Sequence, residues 1–380
     1  MYLDHNATTP LRPEVAEAMA EVLREEYGNP SSVYAEGAAA RARVEAARAE
    51  VAALLGARPA DVRFTSGATE ANNTVIAGLL GPGDHVVTSA VEHPSVDAPL
   101  RFLESRPGGG GLRVTRVAPD ATGRVEAEAI AAAIRPETRL VTLIWANNET
   151  GAIQPVESVA SVCRERGVTF HSDATQAVAK TEVDLRQVPC DFVSCSAHKL
   201  GGPKGVGALV GADNARLAPL LRGGGQERGL RGGTENVASI VGFGVACALA
   251  RKEGEARAAR ARTLRDRLWA GLQRELPGVG WNGDPAHTLG NTLNVRFAGV
   301  EGEVLVQALD LEGVAVSAGA ACHSGAIEPS GVLLAMGLTP QEARGSLRFS
   351  TGAGLSEADI DRVITLLRTL VPRVQAGEGA

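Results

Sequence analysis

The sequence lacks the features that mark membrane, secreted and nucleic-acid-binding proteins. No run approaches the roughly 18 apolar residues of a membrane span, and the opening segment MYLDHNATTPLRPEVAEAM has neither the basic nor the apolar region of a signal peptide. A net charge of −6 gives no electrostatic footprint for nucleic acid or an anionic membrane. The five cysteines have no framework spacing, so we expect a reduced, cytoplasmic protein with no nucleic-acid or membrane partner.

Several common site motifs are also missing. The seven histidines show no metal-ligand spacing, and Cys190 with Cys195 is not a zinc pair, so we expect no metal. The segment GGPKGVG (201–207) lacks the Gly-Lys-Ser/Thr of a Walker A loop. The first strand–helix turn lacks a dinucleotide glycine fingerprint, which disfavours a dehydrogenase.

Short apolar runs alternate with helical patterns through the first two thirds of the chain. The predicted strands are 61–66, 84–91, 139–147, 168–173, 191–197 and 207–211, and the predicted helices are 36–56, 69–80, 125–134 and 156–167. Several strands are continuously apolar, as is typical of strands covered on both faces. This pattern predicts an α/β fold with a mostly parallel sheet flanked by helices.

The pattern changes after about residue 235. A long charged helical stretch runs to about 275, and then come 291–297, 302–313, 314–319, 345–351 and a last helix from about 356. We therefore expect a large domain over residues 13–250 and a smaller α+β domain over 251–380 that also includes residues 1–12. The glycine run at 106–114 predicts a flexible surface connection.

Polar residues follow the ends of the predicted strands. They are Thr69, His93, Asn148 with Glu149, Asp173 with Gln176, and His198 with Lys199. Because open α/β sheets bind ligands beyond the carboxyl ends of their strands, these residues together predict a crevice with an anion site, an acid, a base and an amine.

Each of these residues also has a purely structural interpretation. Thr69 and Asp173 could simply cap helices, and His93 could be an ordinary loop histidine. The functional alternative for Thr69 is phosphate binding at a helix N-terminus. Lys199 follows an apolar strand, where desolvation would lower its pKa and make it a Schiff-base nucleophile, although most lysines are simply solvated.

Two loops remain open on residue chemistry alone. The Gly- and Arg-rich segment 222–236, with Thr234 near its end, is either a mobile surface loop or an anion-binding loop that reaches a partner subunit. The segment SAGAACHSG (317–325) holds Cys322 among small residues with no large apolar neighbour. That thiol is either reactive on a mobile loop or an accident of an alanine-rich sequence.

A set of ordered motifs resembles one enzyme family over nearly the whole chain. The motifs are YLDHNATTP (2–10), GNPSS (28–32), FTSGATEANN (64–73), EHPS (92–95), NNETG (147–151), HSDATQ (171–176), AHKLGGPKGVGAL (197–209), GGGQERGLRGGT (223–234), SAGAACHSG (317–325) and LRFS (347–350). They resemble the class V aminotransferase family of pyridoxal-phosphate enzymes with fold type I, and more narrowly cysteine desulfurases of the iron–sulfur-cluster type.

The resemblance implies a role for each residue of the crevice. Lys199 would hold pyridoxal 5′-phosphate covalently, Asp173 would pair with its ring nitrogen, and Arg348 would clamp the substrate carboxylate. His93 would stack on the ring and assist proton transfer. Gln176 and Asn148 would make further contacts to the cofactor, and Asn148 could also contact the substrate. The phosphate would be surrounded by Ala68, Thr69, Ser196 and His198. Thr234 of a neighbouring subunit in a homodimer would complete this phosphate site.

The resemblance also implies a reaction. L-Cysteine would become L-alanine, and its sulfur would pass to the Cys322 thiolate as a persulfide. The persulfide would then go to an acceptor protein, for which an iron–sulfur scaffold is one candidate. Small residues around Cys322 suit a carrier that moves, and the thiolate form is required.

The chain departs from the family pattern at several positions. Tyr34 stands where relatives usually have His, His323 where the residue after the cysteine is commonly Thr, and Ala353 where a second Arg is common. The last residues, VQAGEGA, form a shorter tail than relatives that serve cluster scaffolds carry. These departures leave the core chemistry intact but affect expectations for the cysteine loop, substrate binding and the acceptor.

Two other functions are alternatives to a desulfurase. A class V aminotransferase or selenocysteine lyase would share the fold, but transamination has no need for the cysteine loop. A non-catalytic sulfur-relay protein on the same fold would have no use for both Lys199 and Asp173.

Overall fold

The computed structural model describes residues 1–105, 111–211, 217–318 and 328–377. The described helices are α1 (Pro13–Glu25), α2 (Ala35–Leu55), α3 (Ala68–Leu79), α4 (Pro94–Glu104), α5 (Ala127–Ala133), α6 (Val156–Arg166), α7 (Val237–Glu275), α8 (Gly302–Leu311), α9 (Gly331–Ala335), α10 (Pro340–Arg344) and α11 (Glu357–Gln375). The described strands are β1 (Val62–Thr65), β2 (His85–Ser89), β3 (Arg113–Val117), β4 (Thr138–Ile144), β5 (Thr169–Asp173), β6 (Phe192–Ser196), β7 (Gly207–Val210), β8 (Gly280–Trp281), β9 (Thr292–Arg296), β10 (Ser317–Ala318) and β11 (Ser346–Ser350).

The larger sheet has seven strands in the order β1-β7-β6-β5-β4-β2-β3. Neighbouring strands are parallel except at β7, which is antiparallel to both β1 and β6. Strands β1, β2, β6 and β7 are buried along their full length, because helices cover both faces. The mixed α/β fold with a mostly parallel sheet is therefore confirmed.

Strand β3 differs from the prediction at the glycine run. We expected a flexible connection through residue 114, but β3 begins at Arg113 and pairs with β2 as an edge strand. Its sequence RVTRV is short, and none of its residues is fully buried, so it gave only a weak strand signal beside four glycines. Residues 106–110 of the predicted connection lie outside the described residues.

Helices α1, α4, α9 and α10 were not predicted, and all of them except α9 begin with proline. Pro13 and Pro94 occupy the first turns of α1 and α4, where a missing N–H costs nothing because that donor has no helical acceptor. Helix α4 also contains Pro99, which normally argues against a helix interior. These prolines hid the helical pattern in the sequence.

The smaller sheet is antiparallel, with the strand order β10-β11-β9-β8. Helices α8 and α11 pack against it around a separate apolar core that also includes Leu3. The N-terminal segment joins this sheet through bridges at Tyr2 and Asp4. Residues 1–4 are therefore fixed on the smaller sheet, and the residues that follow lead toward the larger one.

Helix α7 connects the two cores without a break over 39 residues. Its first half contributes Phe243 and Cys247 to the larger core, and its second half contributes Leu264 and Leu268 to the smaller one. A boundary after residue 250 falls inside this helix. Residues of α9 and α10, including Leu333, also pack into the larger core. The division into two domains stays a prediction.

Within the described ranges, no helix is both long and apolar enough to cross a membrane.

Candidate active site

Ten of the predicted site residues line a single cavity of about 590 Å³ at the carboxyl ends of the parallel strands. They are Ala68, Thr69, His93, Asn148, Asp173, Gln176, Ser196, His198, Lys199 and Arg348. Asp173 ends β5 and Ser196 ends β6. Because the carboxyl ends of parallel strands meet at one edge of the sheet, residues far apart in sequence converge here.

Asp173 is buried in this cavity and held by two hydrogen bonds. The Asn72 side chain donates to its Oδ2 at 2.8 Å, and the Thr175 backbone N–H donates to its Oδ1 at 3.0 Å. These two donors hold both carboxyl oxygens of Asp173 in place. Such a group, fixed at the strand end, is suited to hold a proton on a ligand nitrogen.

Asn72 links Asp173 to His93 through one more side chain. Its amide also donates to Ser95 Oγ at 2.8 Å, and Ser95 Oγ lies 2.7 Å from His93 Nδ1. Burial lowers the pKa of His93, and the nearby Lys199 charge adds to that effect. A neutral imidazole can accept or donate a proton through its free nitrogen.

Lys199 follows β6 and is half-buried at the centre of the cavity. Its Nζ donates to the backbone carbonyl oxygens of Asn6 and Ala7 at 2.5 and 2.8 Å. Burial lowers its pKa to about 8, with a further contribution from the Arg348 charge, while Asp173 opposes the shift. The desolvation that the sequence predicts is therefore present, and a useful fraction of the amine is neutral near physiological pH.

One end of the cavity presents donors suited to a phosphate. Helix α3 begins at Ala68, and its N-cap residue Gly67 has no side chain that could occupy the first amides. Ser196 Oγ lies close to Gly67, and Lys204 lines the same cavity. Amides at a helix N-terminus, a hydroxyl and a lysine form a suitable cradle for a dianionic group. Lys204 was given no role in the sequence analysis because GGPKGVG matches no phosphate motif.

Arg348 approaches the cavity from strand β11 of the smaller sheet. It donates to Asp4 Oδ1 at 2.6 Å and to the Asn148 backbone oxygen at 2.8 Å, and its Nε is buried without a partner among the described residues. A substrate carboxylate would therefore meet a guanidinium that is already oriented by Asp4. Asp4 was not predicted as a site residue, because no motif or strand end marks it in the sequence.

The N-terminal segment forms one wall of the cavity. Gln176 donates to the Asn6 backbone oxygen at 2.8 Å, and the buried Lys180 Nζ contacts both Gln176 Oε1 at 2.5 Å and Asn6 Oδ1 at 2.9 Å. His198 Nδ1 lies 3.1 Å from Thr8 Oγ1. Lys180 was not predicted because a lysine in the turns that follow β5 has no distinctive pattern. The chain is not helical there, and Ala179 has a φ of 63°.

Three predicted residues do not join this cavity. Thr234 lines a neighbouring cavity of about 200 Å³, which shares Ser66 and Gly205 with the larger one. Glu149 is instead half-buried, with its Oε2 accepting from Ser330 Oγ. Cys322 lies outside the described residues, as does His323.

The donor set fits pyridoxal 5′-phosphate. The cofactor needs an amine for its aldehyde, a carboxylate for its ring nitrogen and an anion site for its phosphate. Lys199, Asp173 and the N-terminus of α3 provide these groups in one cavity. The described residues contain no cluster of His, Cys, Asp and Glu side chains that could hold a metal ion.

Proteins with similar sequences belong to one enzyme family. Residues 1–363 match the family profile described as aminotransferase class-V. The protein named "Cysteine desulfurase IscS" from Methylobacillus flagellatus is 43% identical over 99% of this chain and 93% of its own length.

Solved structures agree in fold over almost the whole chain. One titled "NifS-like protein" has a TM-score of 0.90 at 34% identity and covers 98% of this chain and 99% of its own. Another, "SspA in complex with cysteine", has a TM-score of 0.80 at 36% identity and covers 92% and 98%. The chain therefore belongs to the class V aminotransferase family, on its cysteine desulfurase branch.

Proposed function

We propose that this chain binds pyridoxal 5′-phosphate in the cavity around Lys199 and converts L-cysteine to L-alanine, with the sulfur passing to Cys322. The observation that carries the proposal is the meeting of Lys199, Asp173 and the N-terminus of α3 in one cavity. Family membership supports it, because enzymes of this family use pyridoxal phosphate. The neighbour solved with cysteine indicates the substrate class.

The cofactor would be held from three sides. Lys199 would bind it covalently, and Asp173 would hold the proton on its ring nitrogen. Gln176 would hydrogen-bond its ring hydroxyl, while Asn148 would contact the ring or the substrate. Ala68, Thr69, Ser196 and His198 would surround its phosphate.

When bound, the cofactor supplies an electron sink for the pair left at the substrate α-carbon. Lys199 would remove the α-proton, and its lowered pKa suits that task near neutral pH. Arg348 would orient the substrate carboxylate. His93, held by Ser95, would lie where it can stack on the ring and move a proton.

Cys322 is the best candidate for the sulfur acceptor because the four other cysteines are poor nucleophiles. Cys163, Cys195 and Cys247 are buried and Cys190 is half-buried. Burial raises the pKa of all four thiols, to about 12 for Cys163 and Cys195. Thiolate is the reactive form, so these thiols stay protonated and inert.

The sulfur-transfer step balances without an external oxidant. The Cys322 thiolate forms an S–S bond with the substrate sulfur as the substrate C–S bond breaks. The carbon fragment keeps the electron pair, takes up protons and leaves as L-alanine. The persulfide then passes its outer sulfur to an acceptor protein, for which an iron–sulfur scaffold is the candidate, or a reductant releases it as sulfide.

A homodimer would complete the phosphate site. Thr234 lines a cavity next to the active-site cavity of its own chain and not that cavity itself. In a homodimer it would instead contact the phosphate bound by the neighbouring subunit. The exposed Tyr27, Val33 and Tyr34 provide apolar surface that a second copy of the chain could cover.

The direct test measures two products together. Purified holoenzyme is incubated with L-cysteine and a reductant, and alanine and sulfide are quantified in the same samples. We expect equal amounts of both, and neither from Lys199→Ala, while the exposed-lysine control Lys252→Ala keeps full activity. Pyruvate in place of alanine, or alanine without sulfide, would contradict the proposal.

A further inference from the structure

A second cavity of about 320 Å³ lies on the far side of Lys199 from the candidate active site. It is bounded by the N-terminal segment, helix α7 and the loop after β11. Lys199 is the single described residue that lines both cavities. No step of the proposed reaction uses this second cavity.

The second cavity carries an excess of positive charge. The basic side chains that line it are Arg12, Lys180, Lys199, Arg257 and Arg260, whereas Glu253 is the one carboxylate among its described lining residues. Burial lowers the pKa of Lys180 well below its ordinary value, and Lys199 would lose its charge on binding the cofactor, so the arginines carry most of the positive charge. The chain as a whole has a net charge of −6, so its overall composition does not predict this local cluster of basic side chains.

One of these basic side chains has no direct partner among the described residues. Arg12 is paired with Glu14 and Glu253. Half-buried Arg257 makes no hydrogen bond or ion pair with the described part of the chain, and burial, followed by repulsion from Arg12, lowers its pKa, while Glu253 and Glu14 oppose that shift. A partly desolvated guanidinium without a hydrogen-bond partner is costly, and an anion in the cavity would remove that cost.

His5 lines the same cavity and carries a buried, unsatisfied polar atom. Its side chain is 4% exposed, and its Nε2 has no hydrogen-bond partner among the described residues. Its bond to the backbone of Tyr2 therefore uses Nδ1. Burial, together with Lys180 and Arg257, lowers its pKa to about 4. Neutral His5 thus presents Nε2 as an acceptor that needs a donor.

Gly352 allows this placement of the histidine. A Cβ at that position would lie 2.2 Å from His5 Nδ1, so any other residue would push the ring away. The backbone is therefore fitted closely around His5.

We propose that this cavity is a binding site for a phosphate group that retains one proton. Its anionic oxygens would face Arg257 and Lys180, and its remaining O–H would donate to His5 Nε2. Sulfate and simple carboxylates are fully deprotonated at neutral pH and cannot make the last bond. The site is separate from the proposed reaction and does not depend on it.

The test is isothermal titration calorimetry of the cofactor-loaded enzyme at neutral pH and constant ionic strength. The probes are inorganic phosphate, sulfate and glycerol 3-phosphate. We expect phosphate to bind about tenfold more tightly than sulfate. Glycerol 3-phosphate separates the two phosphate sources, because tighter binding of the ester identifies a phosphorylated metabolite as the ligand and tighter binding of the free ion identifies inorganic phosphate.

Four variants test whether phosphate binds in this cavity. Arg257→Gln should weaken phosphate binding about tenfold, and Arg262→Gln, an exposed arginine on the same helix that does not line the cavity, should leave it unchanged. Ala353→Glu, at an exposed position on the cavity wall, should abolish binding by placing a carboxylate beside the cations. His5→Phe should remove the preference for phosphate over sulfate.

Three results would overturn the proposal. They are no phosphate binding to the unmodified enzyme, binding that survives both Arg257→Gln and Ala353→Glu, and loss of binding in Arg348→Lys without loss in Arg257→Gln. The last result would place the phosphate in the active-site cavity instead.

Discussion

At the scale of single residues, burial sets the reactivity of the candidate site. The same desolvation that lowers the pKa of Lys199 raises the pKa of the buried thiols, because burial disfavours whichever form is charged. A neutral amine is a better nucleophile and base, whereas a neutral thiol is a worse one. Desolvation by burial therefore makes Lys199 more reactive and makes Cys163, Cys195 and Cys247 less reactive.

The lowered pKa of Lys199 predicts how cofactor reloading depends on pH. Only the neutral amine attacks the cofactor aldehyde, and its fraction rises with pH through a midpoint at about 8. We expect the rate at which cofactor-free enzyme regains its visible absorption band to rise with that midpoint. A midpoint near the ordinary lysine value of about 10.4 would mean that the amine is solvated.

Asn72 is predicted to be a positioning residue for Asp173. Asn72→Ala removes a hydrogen bond to a buried carboxylate, a loss of about 1.5–3 kcal/mol, and should weaken cofactor affinity by about tenfold or more. Thr74→Ala is the matched control, since its hydroxyl donates only to Glu70 within the same helix. Equal losses in both variants would indicate a general effect on folding.

Sequence reasoning found the residues that directly follow strands and missed those that support them. Asp173 and Lys199 are visible because Asp173 ends the buried strand β5 and Lys199 closely follows the buried strand β6. Asn72 lies three residues after Thr69, hence on the same helical face, and that spacing could have identified it. Asp4 and Asn6 reach the site only because the N-terminal segment joins the smaller sheet, a long-range contact that no local pattern reveals.

At the scale of elements, helix α7 is the structural link between the two cores. Its length was visible as a continuous charged helical pattern, and the strands with continuous apolar runs were also predictable. The edge strand β3 and the proline-started helices α1 and α4 were not. Burial produces strong sequence patterns, and β3 has little of it.

A proline in the middle of α7 should uncouple the packing of the two cores. Ala256 is exposed and lies well inside the helix. Ala256→Pro removes a helical hydrogen bond and should lower the free energy of unfolding by about 3 kcal/mol, as measured by urea denaturation. Ala256→Ser should cost about 0.5 kcal/mol. Equal midpoints for the two variants would show that α7 need not be continuous.

At the scale of the whole molecule, the active-site cavity is assembled from parts that belong to different cores. The larger sheet provides Lys199 and Asp173, the smaller sheet provides Arg348, and the N-terminal segment lies between them. Any relative motion of the cores would therefore change the distance between the substrate carboxylate site and the catalytic amine. The continuous helix α7 and the hydrogen bond from Arg348 to the Asn148 backbone oxygen, which follows β4 of the larger sheet, oppose that motion.

The central claim is that sulfur leaves cysteine through Cys322, and one comparison tests it most directly. Sulfide and alanine are measured from L-cysteine for the unmodified enzyme, Cys322→Ser and the matched control Cys190→Ser, whose thiol is protonated because burial raises its pKa. We predict that Cys190→Ser forms both products normally and that Cys322→Ser forms neither. Full sulfide release by Cys322→Ser would contradict the persulfide mechanism.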